Sequence, residues 1–150
     1  MSRIRTRTHT RPASRRGAAL LLAALVLPVC GCAGLTPDTT AAGSTAAAFA
    51  DALAAGDGAA ACAALTPRAA EAVVDAAAGA ATCADAILAL GLDPASSADP
   101  RAEAYGQAAV VALEGDTVFL AASGDGWRIR AAGCTATGED SPYDCVIDGS

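Results

Sequence analysis

The sequence predicts an α+β fold: N-terminal helices packed on a curved antiparallel sheet, stapled by disulfides. Three observations carry that expectation. Cap and stop signals cut the first half into short helical segments. Beyond Pro100 the apolar spacing changes to a period of two, with glycine-rich turns at hairpin distance. Four cysteines, Cys62, Cys83, Cys134 and Cys145, are divided evenly between the helical and the strand-forming segments.

The chain opens with a segment that reads as an address. Met1–Arg16 holds six of the ten Arg, and an apolar run follows from Gly17 to Val29. A spanning helix needs about 20 apolar residues, and this run is shorter, as the apolar region of a signal peptide is. Val29-Cys30-Gly31-Cys32 then resembles a bacterial lipobox, with small Gly31 before the cut and Cys32 as the acylated residue. Residues 1–31 are therefore expected to be a lipoprotein signal peptide, exported by the general or the twin-Arg route. Residues 32–44 are expected to be a lipid anchor and flexible tether, and 45–150 a single domain. More than one acyl chain gives stable anchoring, at about 0.8 kcal/mol per buried CH₂. The expected location is the extracytoplasmic face of the cell membrane.

Removal of the leader changes the chemistry of the chain. From Cys32 on there are four Arg, no Lys and no His against 16 carboxylates, a charge of −12. A nucleic-acid partner needs a basic face, and none is present. Triads and metal sites built on His, and Schiff bases built on Lys, have no side chain to use. Leu, Ile, Val and Phe number only 19 in this stretch. Such a composition borders on disorder, and disulfides are the expected remedy.

Each element follows from local signals. Phe49 and Leu53 lie four apart on an Ala scaffold, and Gly56 ends that helix. Asp57 caps a short second helix reaching Leu65. Thr66-Pro67 opens a third, which runs to about Ala78 before Gly79. Thr82-x-x-Asp85 opens a fourth, ending before Gly91. Asp93-Pro94 and Asp99-Pro100 bracket a loop. Arg101–Tyr105, Gln107–Leu113, Thr117–Ala122 and Trp127–Ala132 read as strands, separated by Glu114-Gly115-Asp116 and Ser123-Gly124-Asp125-Gly126. In the last strand Trp127, Ile129 and Ala131 share one face, and Arg128 and Arg130 the other.

The cysteines allow three pairings, and Cys62–Cys83 with Cys134–Cys145 is favoured because each pair closes one local unit. The spacing does not suit a Cys₄ metal site, which wants close Cys pairs. Glu139, Asp140 and Asp144 offer oxygens for Ca²⁺ without a loop motif, and otherwise keep their loop solvated. Arg128 and Arg130 either grip an anionic ligand or pair with nearby carboxylates. Trp127 and Phe119 are read as core packing. Neither a cofactor nor a bound metal is expected.

With Gly126-Trp127-Arg128-Ile129, Ala132-Gly133-Cys134 and Pro142-Tyr143-Asp144-Cys145 in place, Ser44–Gly149 resembles small secreted bacterial lipoproteins of the nuclear-transport-factor-two-like (SnoaL-like) superfamily. The resemblance implies helices closing one side of a curved sheet into a cone. Candidate pocket residues are Phe49, Tyr105, Trp127, Arg128 and Arg130. The leading functional expectation is a non-catalytic domain that binds an envelope protein or a small ligand. One alternative is an isomerase or cyclase-like enzyme in which a carboxylate works with Tyr105, as Asp and Tyr do in ketosteroid isomerase of that superfamily. The other is an acidic structural spacer at the membrane surface.

Overall fold

The computed structural model describes residues 38–124, 126–138 and 143–150, all within one compact unit. The lipidation site Cys32, the signal segment and the tether to residue 37 lie outside the described residues. So do Asp125 and the acidic pair Glu139 and Asp140.

A side chain caps each helix among the described residues. Asp38 precedes α1 (Thr39–Ala54) and accepts from the Ala41 N–H. Asp57 precedes α2 (Gly58–Ala63) and accepts from Ala60. Thr66 precedes α3 (Pro67–Ala76), with Pro67 where its missing N–H costs nothing, and accepts from Ala69. Thr82 precedes α4 (Cys83–Ala89), accepts from the Asp85 N–H and donates its hydroxyl to the Asp85 carboxylate. Such caps contribute about 1 kcal/mol each. The caps at Asp57, Thr66 and Thr82 are those the sequence predicts.

The first helix begins earlier than predicted. Residues 39–44, expected within the tether, form the first turns of α1. Their small size has a packing role: Ala42 and Ala46 are fully buried, and Gly43 lies against Pro100. A helix with so little side chain on one face approaches a strand closely, and Trp127 fixes its start by donating its indole N–H to the Asp38 carbonyl at 3.0 Å.

The strands form an antiparallel meander in the order β1 (Ser96–Tyr105), β2 (Ala108–Glu114), β3 (Asp116–Ser123), β4 (Gly126–Ala136) and β5 (Tyr143–Asp148). The α+β expectation therefore holds. Two boundaries differ from the sequence reading. The segment 96–100, expected as a loop, is the start of β1. Pro100 is tolerated there because β1 is an edge strand and its register with β2 breaks between Ser96 and Arg101. The tail forms β5, which the alternation did not single out. It pairs with β4 from Ala131 to Ala136, beyond the predicted end of that strand at Ala132, and Cys134 lies directly opposite Cys145.

Both favoured disulfides are present. Cys62–Cys83 joins α2 to α4 with Cα atoms 6.1 Å apart. Cys134–Cys145 joins β4 to β5 with Cα atoms 4.0 Å apart. Their loops of 21 and 11 residues correspond to about 3 kcal/mol each in the chain-entropy model.

The core lies between the helices and one face of the sheet. Phe49, Val73 and Ile87 from the helices meet Val111, Val118, Leu120, Ile129 and Ile147, all at most 2% exposed. No polar or charged residue is buried among the described residues. The connector between α2 and α3 also joins the sheet: Ile129 donates to Ala64 at 2.9 Å, and Thr66 donates to Ile129 at 2.7 Å. No helix of the described residues is long and apolar enough to cross a membrane.

Candidate functional site

Strand alternation puts the second set of side chains on the sheet face opposite the helices. In β2 and β3 the inward residues are Ala109, Val111, Leu113, Val118 and Leu120. Val110 and Phe119 have the opposite parity, and they are paired in register. The row continues on both sides: Glu103 is opposite Val110, Ala131 is opposite Phe119, and Asp148 is opposite Ala131. An aromatic and aliphatic centre thus carries a carboxylate at each end.

Arg130 enters this row through a β-bulge. Phe119 is opposite Ala131 and the next residue, Leu120, is opposite Ile129, so Arg130 is the extra residue on β4. A bulge turns two successive side chains to one face, and Arg130 and Ala131 line the same recess. This corrects the expected alternation, in which Ala131 shared a face with Trp127 and Ile129. A second irregularity follows at Gly133, whose φ of 67° belongs to the left-handed region. Asp116 stabilises that kink. Its carboxylate accepts from the Gly133 N–H at 3.0 Å and from the Cys134 N–H at 2.8 Å.

Two recesses meet at Arg130 and Phe119. The first, of about 300 Å³, is open to solvent and also lined by Tyr143, Cys145, Asp148 and Ser150. The second, of about 290 Å³, extends along Val110 to Tyr105. Phe119 and Tyr143 meet edge to face with ring centroids 5.0 Å apart. The Arg130 Nε lies buried with no hydrogen-bond partner among the described residues. Asp148 accepts from the hydroxyl and backbone N–H of Ser150. Those bonds, with a smaller contribution from the Arg130 charge, hold its carboxyl below the ordinary range. At the other end the Tyr105 hydroxyl donates to Glu103, and that carboxylate raises the phenol above its ordinary value.

The predicted pocket residues are therefore divided. Tyr105 and Arg130 are brought to one recess, on the outer face rather than inside a cone. Tyr105 is 68% exposed near the open edge. Phe49 is buried in the helix–sheet core, and Trp127 packs at its margin with its N–H on Asp38. Arg128 donates to the Ala63 carbonyl at 2.7 Å, at the end of α2, where a cation is favoured by the helix dipole. Phe119, read as core beside Trp127, instead pairs with Tyr143 on the outer face. Its parity against Val118 and Leu120 was the available signal. Tyr143, Asp148 and Ser150 carried none, because β5 itself was not anticipated. No group of metal-ligating side chains occurs among the described residues. Compared with other proteins, the chain matches no family model, no curated protein and no solved structure.

Proposed function

We propose that this chain is a lipid-anchored extracytoplasmic lipoprotein whose domain is a non-catalytic binding module. Acylated Cys32 holds it to the membrane, and the outer face of the sheet meets an envelope protein or a small ligand. The observation that carries the binding reading is Arg130, a cation whose buried Nε–H has no partner among the described residues, between two aromatic-walled recesses. An acidic spacer would have no use for such a face.

The leader arithmetic and the two disulfides support export to an oxidising compartment. In the nuclear-transport-factor-two-like reading, the space under the sheet is occupied by Phe49, Ile87, Leu120 and Ile129, none more than 2% exposed. Binding then moves to the opposite face. Tyr105 and its neighbour Glu103 are both exposed on that face, which supports recognition over acid–base work in a closed site.

The test uses the full chain in bacterial cells. Mass spectrometry should find a diacylated N-terminal Cys32, and Cys32→Ser should release the domain from the membrane fraction. A photo-crosslinking residue at Tyr143 should trap a discrete envelope partner or protect against crosslinking when ligand is present. The same residue at Leu88, exposed on α4, should not. An intact starting methionine on a cytosolic product would overturn the anchor. Equal crosslinking from positions 143 and 88 would overturn the binding face.

A further inference from the structure

We infer that the Arg130 recess takes a small organic monoanion, a carboxylate joined to an aromatic or branched apolar body. The inference deepens the outer-face reading above and is independent of the anchor. The guanidinium is planar, always charged, and presents N–H groups in the fork that a carboxylate matches. Its Nε is withdrawn from water without a protein acceptor among the described residues. A buried donor left unpaired is costly, and a ligand carboxylate that draws the guanidinium outward onto its own oxygens removes that cost.

Repulsion from nearby carboxylates limits the anion to a single charge. Asp148 lines the same recess, and its carboxyl is already held in the ionised form by Ser150. Glu103 stands at the far end of the row, beside Tyr105. A dianion such as phosphate would meet these carboxylates with only one guanidinium in its favour. The whole described domain adds to that repulsion, since its carboxylates far outnumber its Arg. A single carboxylate on Arg130 adds the least repulsion that an anion can, one charge rather than two against Glu103 and Asp148.

The neighbours of Arg130 select the rest of the ligand. Phe119, Tyr143 and Val110 supply an apolar floor on both sides of the cation. An aromatic body meets the Phe119–Tyr143 pair at its edges and faces, the arrangement in which rings attract. Each recess holds about 300 Å³, at the small end of ligand sites. The ligand is correspondingly compact.

The test is an amide NMR titration of the full chain with N-acetyl-L-phenylalanine. Saturable shifts are expected at Phe119, Arg130, Tyr143 and Ser150. The neutral probe N-acetyl-L-phenylalanine amide, acetate and inorganic phosphate should each bind at least about tenfold more weakly, as should Arg130→Gln to the carboxylate probe. The neutral probe needs no variant, so the comparison survives if Arg130→Gln fails to fold. Arg130→Lys, which keeps the charge and loses the fork, should also weaken binding. Equal affinity for the amide would overturn the anionic requirement, and tighter phosphate binding would overturn the monoanion. Equal acetate binding would overturn the apolar body. Failure here leaves the crosslinking comparison of positions 143 and 88 standing.

Discussion

Replacing Gly58 by Ala sets two opposing effects against each other at one atom. At an exposed helical site the change gains up to about 1 kcal/mol, because Ala loses less backbone freedom than Gly. Gly58 is the first residue of α2, and it is buried against α4. An added Cβ would lie 2.1 Å from the Ala84 carbonyl oxygen and 2.9 Å from its carbon. The neighbouring atoms are backbone, so no side chain can rotate away. The helices would have to part by more than an ångström, and the Cys62–Cys83 bond joins them close by. Overpacking in a core costs about 1–3 kcal/mol, and the tethered geometry places this site at the upper end. The expected net loss is about 2 kcal/mol, which lowers Tm by roughly 10 °C for a domain of this size. Urea denaturation of the oxidised full chain, followed by far-UV circular dichroism, measures it. Gly124→Ala is the control, since a Cβ there meets nothing within 4 Å. A Gly58→Ala protein as stable as the parent would refute the close approach of α2 to α4.

Two more predictions follow from side chains on the sheet. Asp116→Ala removes both acceptors from the Gly133 and Cys134 N–H groups, and the expected loss is about 2–4 kcal/mol by the same assay. Glu114→Gln, an exposed neighbour, should change stability by less than about 0.5 kcal/mol; equal effects would refute the clamp. Tyr105 titrates above its ordinary value of 10.0 because Glu103 accepts its proton-bearing hydroxyl and repels the phenolate. The folded-state value is raised, so the contribution to stability is present below the ordinary value and is lost as pH rises through the folded one. Glu103→Gln should move the spectrophotometric midpoint of Tyr105 down toward 10, and an unmoved midpoint would refute the pairing.

Most element starts were legible because capping is local. Asp57, Thr66-Pro67 and Thr82 each act on an N–H within three residues, so a short window contains the cause and its partner. The cysteine pairing was legible for a similar reason, each bond closing a short loop within one structural unit. The start of α1 was hidden because Gly43 and Ser44 read as spacer by composition. Burial against Pro100 and Ala102, more than 50 residues away, outweighs that preference. β5 was hidden because pairing with β4 makes it a strand, and its own residues are half charged or polar.

Alone, the sequence carried the order of helices before strands, the caps at Asp57, Thr66 and Thr82, the favoured disulfide pairs, and the acidity and want of His and Lys from Cys32 on. These depend on residue identity and on neighbours a few positions apart. Only the tertiary structure decided which face holds the candidate site. An extra residue at Arg130 and a left-handed Gly133 shift the register of β4 against β3. The first shift turns Ala131 to the face of Arg130, and the second restores the original alternation by Cys134. Pairing between strands distant in the chain sets Arg130 beside Phe119 and Tyr143.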